Sequence, residues 1–187
     1  MEEELDFIIE SAKEAMEHSI THLNAELLKI RAGKASATMV DSVSVDYYGT
    51  NTPLNQVSNI NTPDPRTISI QPWEKSMLEI IERAIINSNL GLNPQNNGEM
   101  IIISVPSLTE ERRQQLVRQS KSEVEKAKIS IRNARRDAND EVKKLLKKHL
   151  EEDLAHDIEA EIQKITDTYS HRVEEIFHKK EEDIMTV

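Results

Sequence analysis

The sequence predicts an α+β protein of two domains: a long antiparallel three-helix bundle with a small α/β, mostly β, domain inserted into it. Three observations predict this. Apolar residues recur at three- and four-residue steps in three long stretches, near residues 3–30, 109–149 and 154–184. Between the first and second stretches the apolar period shortens to two. The composition, with 31% charged and 3% aromatic residues and only 4 Gly and 6 Pro in 187 residues, suits long amphipathic helices. Each helix has one apolar stripe and needs the other two to bury it. Residues 1–32 and 108–187 therefore form the bundle, and 33–107 the insertion.

The first helix carries Leu5, Ile9, Ala12, Met16, Ile20, Leu23, Leu27 and Ile30 on its stripe. Its first turn holds Glu2, Glu3, Glu4 and Asp6, which the positive end of the helix dipole favours. Gly33 is its expected stop. Val43, Val45 and Tyr47 then alternate with Ser44 and Asp46, a half-buried strand broken by Gly49, Asn51 and Pro53. Alternation should send one ring of the Tyr47–Tyr48 pair inward and one outward. Asn55–Ile60 reads as a weaker strand, Thr62-Pro63-Asp64-Pro65 as a turn, and Thr67–Gln71 as another strand. Pro72-Trp73-Glu74 opens a helix reaching about Leu90, with Trp73 as a packing or helix-start residue. Gly91–Gly98 reads as a loop and Met100–Val105 as the last strand, ended by Pro106. Thr109 caps the second long helix, whose seam is Leu116, Val124, Ala127, Ile131, Ala134, Ala138, Val142 and Leu145. The third has Leu154, Ile158, Ile162, Ile165, Tyr169, Val173, Ile176 and Ile184. The break between them, placed near Glu151-Glu152-Asp153, contains neither Gly nor Pro.

Charge is unevenly distributed. The formal net charge is −10, yet residues 109–150 hold 13 basic and 7 acidic side chains, and residues 151–187 hold 4 basic and 12 acidic. On the second long helix, Lys128, Arg132, Arg135, Arg136 and Lys143 share one stripe with Asn139, beside the apolar seam. Two readings fit. The charges can be salt-bridge complements between helices, or the stripe can be a local site for an anionic partner on a surface that elsewhere repels polyanions. Arginine suits phosphate because its planar fork matches phosphate oxygens in pairs. Arg112 and Arg113 fit interdomain bracing and RNA contact equally well.

Other chemistry finds little support. There is no cysteine, so disulfides and thiolate metal sites are excluded. No apolar run approaches the roughly 20 residues of a membrane span. The acidic Met1-Glu2-Glu3-Glu4 start is unlike a secretory or mitochondrial leader, and the cytosol is the expected location. His18 and His22, and His149 with Asp153 and His156, have spacings that could suggest a metal, but no ligand framework surrounds them. No nucleophile elbow and no phosphate-cradling glycine loop occurs, so neither an enzyme nor a cofactor is expected.

Five motifs in order carry a resemblance. They are Arg31-Ala32-Gly33-Lys34-Ala35-Ser36; Asp46-Tyr47-Tyr48-Gly49 with Thr52-Pro53-Leu54; Leu90-Gly91-Leu92-Asn93-Pro94; Leu108-Thr109-Glu110-Glu111-Arg112-Arg113; and Ile131-Arg132-Asn133-Ala134-Arg135-Arg136-Asp137. Through them the chain resembles the bacterial-type ribosome recycling factors over essentially its whole length. The resemblance implies an L-shaped monomer that binds the post-termination ribosome through large-subunit rRNA. With elongation factor G and GTP bound to that partner, it would split the ribosome into subunits and release mRNA and tRNA. It implies rRNA contact by Arg31, Lys34, Arg132, Arg135 and Arg136, and the shared stripe adds Lys128. Lys34 stands where the family more often has arginine, which keeps the charge and loses the fork. Ala37-Thr38 departs from the proline frequent after the hinge serine. The hinge is expected at Gly33, Lys34 and Ala35 on one connection and Val105, Pro106 and Ser107 on the other. The competing reading is a coiled-coil structural adaptor or co-chaperone with a folded insert, which would self-associate through its seams.

Overall fold

In the computed structural model, residues 2–186 are described. The chain divides into two compact units, Met1–Ala32 with Glu110–Val187, and Gly33–Thr109.

The first unit is a three-helix bundle of α1 (Glu2–Lys29), α3 (Glu110–Leu146) and α4 (Glu152–Met185). Leu5, Ile8 and Ala12 near the start of α1 pack with Ala138, Val142 and Leu145 near the end of α3, and with Ala155 and Ile162 near the start of α4. Thus α3 runs antiparallel to both neighbours. At 1.5 Å per residue the 37 residues of α3 span about 55 Å. One small hydroxyl per helix is buried in the seam, and each bonds its own helix. Ser19 donates to the Ala15 carbonyl at 3.1 Å, Ser120 to Leu116 at 2.9 Å and Thr166 to Ile162 at 2.8 Å. Their polar atoms are satisfied without a cross-helix partner, and their small size lets the helices approach closely.

The α4 seam differs from the expected one. The buried line is Ala155, Ile162, Thr166, Val173, Phe177 and Ile184, whose steps alternate between seven and four. That is an 11-residue repeat, about 3.67 residues per turn, slightly above the 3.6 of a straight α-helix. Leu154 is exposed, while Ile158, Ile165, Tyr169 and Ile176 are only half-buried on its flanks. On α3, Ala134 is likewise half-buried.

The turn between α3 and α4 falls earlier than expected and explains the missing glycine. His149 adopts φ +72°, the left-handed conformation. The Leu150 N–H bonds the Leu145 carbonyl at 3.1 Å, and the His149 N–H bonds the Leu146 carbonyl at 3.3 Å. This pair of bonds is a Schellman ending, with Leu150 and Leu145 both in the core cluster beneath it. Histidine therefore occupies the position where glycine is common.

The second unit contains β1 (Ser44–Tyr47), β2 (Thr50–Pro53), β3 (Ser58–Asp64), β4 (Thr67–Pro72), α2 (Leu78–Asn87), β5 (Pro94–Asn96) and β6 (Ile101–Ser104). β1 and β2 form an antiparallel hairpin, and the others a four-stranded antiparallel sheet in the order β3-β4-β6-β5. Ile68, Ile70, Ile101 and Ile103 from the two central strands bury against Leu78, Ile81 and Ile85 of α2.

Four expectations for this unit are corrected. Gly49 does not simply end a strand: Tyr48 (φ 50°) and Gly49 (φ 81°) form the two-residue turn of the β1–β2 hairpin, whose geometry requires positive φ at both positions. The Thr62-Pro63-Asp64 segment belongs to β3. The register between β3 and β4 shifts between Asn61 and Asp64, so Pro63 sits in an unpaired bulge on an edge strand, where its missing N–H costs nothing. The expected Gly91–Gly98 loop contains β5. The helix after Pro72 starts later, because the Trp73 N–H continues the ladder to the Val57 carbonyl at 3.2 Å and Glu74 remains extended. A short 3-10 turn at Lys75–Met77 intervenes, and Trp73 is 70% exposed and so is not a packing residue.

Candidate nucleic-acid interface

The helical step of α3 sets the basic stripe, and α4 sets its electrostatic condition. Arg132 and Arg136 are exposed, while Arg135 and Lys128 are half-buried against α4. The four side chains differ in their partners. Arg132 Nε donates at 3.4 Å to the Lys128 carbonyl one turn back, which orients the side chain without neutralising it. Arg136 has Asp137 at 3.8 Å, a loose exposed pair that salt screens. Arg135 Nη1 donates at 3.1 Å to the amide oxygen of Gln163, and Gln163 Nε2 donates at 2.8 Å to Asp167 Oδ1. Lys128 is ion-paired to Glu174 on α4, with Glu125 at 3.7 Å on its own helix. The hydrogen bond to Glu174 raises the Lys128 pKa above that of free lysine, and the same bond lowers that of Glu174. Lys128 already has an anion.

These side chains border a groove of about 440 Å³ between α3 and α4. Lys128, Arg132 and Arg135 line one wall, and Gln163, Asp167 and Glu174 are on the other. Farther along α3, Lys143 has Asp140 at 3.7 Å. Asn139, counted with the stripe, has a buried Oδ1 with no partner among the described residues.

Arg31 is exposed just past the end of α1. Because α1 and α3 are antiparallel, it lies toward the opposite end of the bundle from Arg136. Lys34 is exposed in the second unit. Of the residues expected at the hinge, Ala35 and Val105 are anchored in the second unit: their N–H groups bond the Pro65 carbonyl at 2.8 Å and the Arg66 carbonyl at 2.7 Å, at the β3–β4 turn. Gly33 has φ +73°, and a Cβ there would lie 2.5 Å from Leu108 Cγ. Pro106 and Ser107 are exposed. Arg112 donates to Gln115 at 3.1 Å.

Residues that sequence periodicity did not single out are Gln163, Glu174, Glu17 and Arg172. Pairing of α3 with α4 depends on the axial offset between helices, which no local spacing encodes. The only signal was the acidity of the segment after residue 150. In the second unit, both tyrosine hydroxyls donate to one carboxylate: Tyr47 to Glu74 Oε1 and Tyr48 to Glu74 Oε2, each at 3.0 Å. The hydrogen bond to Glu74 raises both phenol pKa values. The rings meet edge to face at 4.6 Å, Tyr47 half-buried and Tyr48 82% exposed. No helix among the described residues is long and apolar enough to cross a membrane.

The family model described as ribosome recycling factor matches residues 23–185. A ribosome-recycling factor from Flavobacterium johnsoniae is 56% identical over 187 residues, covering all of both chains. Another from Porphyromonas gingivalis is 50% identical over 185 residues, covering 98% of this chain and all of the relative. Among solved structures, a solution structure of the ribosome recycling factor covers 98% of each chain with TM-score 0.74 and 34% identity. A structure of the T. thermophilus factor, with E. coli elongation factor G bound to the E. coli post-termination complex, covers 97% of this chain and 98% of that one, with TM-score 0.61 and 42% identity. This chain belongs to the ribosome recycling factor family.

Proposed function

We propose that this protein binds the post-termination ribosome through large-subunit rRNA. With elongation factor G carrying GTP, it then splits the ribosome into subunits and frees mRNA and tRNA. The observation that carries the rRNA part is the pair Arg132 and Arg135: two guanidinium groups one helical turn apart, with no carboxylate partner among the described residues. Guanidinium groups in that condition can exchange their counterions for phosphates, and release of those counterions drives binding. The basic face lies on a long helix, so it can follow a polyanion by shape without reading its sequence. The surrounding acidic side chains disfavour other RNA.

The protein acts in the cytoplasm as a binding component rather than an enzyme, and its partner supplies the energy of GTP hydrolysis. Movement between the two units takes place at the two connections, Gly33, Lys34 and Ala35 on one and Val105, Pro106 and Ser107 on the other; the Ala35 and Val105 N–H groups tie the inner ends of both to the second unit. Arg31 and Lys34 form the hinge-proximal part of the same rRNA-binding zone.

The test is a polysome-breakdown assay with purified ribosomes, this protein, elongation factor G and GTP, omitting each in turn. Breakdown should require all of them. Breakdown without this protein, or a self-associated protein that fails to cosediment with ribosomes, favours the adaptor reading.

A further inference from the structure

Arg135 and Lys128 face the same groove, but α4 treats them differently. Lys128 meets the carboxylate of Glu174. Arg135 meets the neutral amide of Gln163 at 3.1 Å, although Asp167 lies one hydrogen bond further on. The amide direction follows from chemistry: guanidinium can only donate and carboxylate can only accept, so the oxygen faces Arg135 and the NH2 faces Asp167. Gln163 is therefore a spacer. It donates to Asp167 Oδ1 at 2.8 Å and stands between that carboxylate and Arg135 in the hydrogen-bond chain. Among the described residues Arg135 has no ion pair. One of its five N–H donors is used by Gln163, which leaves about four for another partner.

We propose that Gln163 is a positioning residue for the RNA-facing Arg135: it holds the guanidinium in place while leaving its charge unneutralised. This rests on the reading of the α3 ridge as an rRNA site. Fixing the fork in advance reduces the ordering cost of meeting a phosphate. A carboxylate at position 163 would fix the fork equally well, but it would act as a permanent counterion and remove Arg135 from the charges that phosphate contact can release.

The test is binding of the full chain to purified large ribosomal subunits over a range of salt concentrations. The variants are Q163E, Q163A and R135A, each checked for helicity and melting temperature. Near 0.1 M salt, Q163E should weaken binding about tenfold, and its plot of log affinity against log salt should be shallower by about 0.7–0.9. Q163A should weaken binding only severalfold, with the slope unchanged, because positioning is lost but the charge remains. Wild-type affinity and slope for Q163E, with R135A weakened, overturn the role of Gln163 and leave the ridge intact. Equal weakening of Q163A and Q163E with one slope also overturns it, because that pattern marks simple packing. Wild-type binding by R135A overturns the ridge itself and this inference with it.

Discussion

Glu17 on α1 takes both arms of the Arg172 guanidinium on α4, with Nη1 to Oε2 at 2.7 Å and Nη2 to Oε1 at 3.1 Å. The Tyr169 hydroxyl donates to the same Oε2 at 2.9 Å, and Arg172 lies over the Tyr169 ring, 5.1 Å from its centroid. The bond from Arg172, then that from Tyr169, lowers the Glu17 pKa below that of an ordinary glutamate. A depressed carboxylate stabilises the fold above its unfolded pKa, and the contribution is lost as pH falls through the folded value. E17Q should therefore melt slightly below wild type at neutral pH, and the difference should vanish as pH falls through the lowered Glu17 pKa. Melting curves across pH 2–8 check this, with the difference expected to shrink further in high salt.

Gly33 is constrained twice. Its φ of +73° disfavours any side chain, and a Cβ would lie 2.5 Å from Leu108 Cγ. G33A should destabilise the second unit by roughly 1–3 kcal/mol. Combining it with L108A should recover the steric part and leave the backbone part. Denaturant unfolding of the four proteins in that cycle measures both, and purely additive losses would exclude the steric part.

His149 bears a left-handed conformation that costs a side chain about 1 kcal/mol. H149G should raise bundle stability by roughly 0.5 kcal/mol net, after the greater freedom of glycine in the unfolded chain is subtracted. H149V should lower it, because a β-branched residue tolerates that conformation poorly. Opposite shifts in the denaturation midpoint are the expected pattern.

Lys128 is held by Glu174, so fewer cations on the α3 ridge are available to a partner than its sequence contains. E174Q should release Lys128, tighten binding to large ribosomal subunits at low salt, and steepen the salt dependence by up to about 0.9. The gain should disappear in the K128A background.

Much of the fold was legible because its signals are local. The stripes of α1 and α3 follow the helix period over many turns, and the β1 and β4 alternations are short but clean. The failures have physical reasons. The α4 stripe is broad, and packing selected Phe177 and Thr166 rather than Ile165 and Ile176. Pro63 reads as a turn unless the bulge on an edge strand is known, and His149 does not announce a helix end as glycine would. The candidate site was half legible. Helical spacing alone places Arg132, Arg135 and Arg136 on one face. What neutralises Lys128 and what spares Arg135 depends on where α4 lies along α3, and that offset comes from the packed core.

Contact of Arg132 and Arg135 with rRNA phosphates is tested by the salt dependence of binding to purified large ribosomal subunits for wild type and for R132E/R135E, both shown to be folded. The predicted result is a loss of at least about a hundredfold near 0.1 M salt, with a slope shallower by roughly 1.4–1.8. A folded double variant with the wild-type affinity and slope would contradict it.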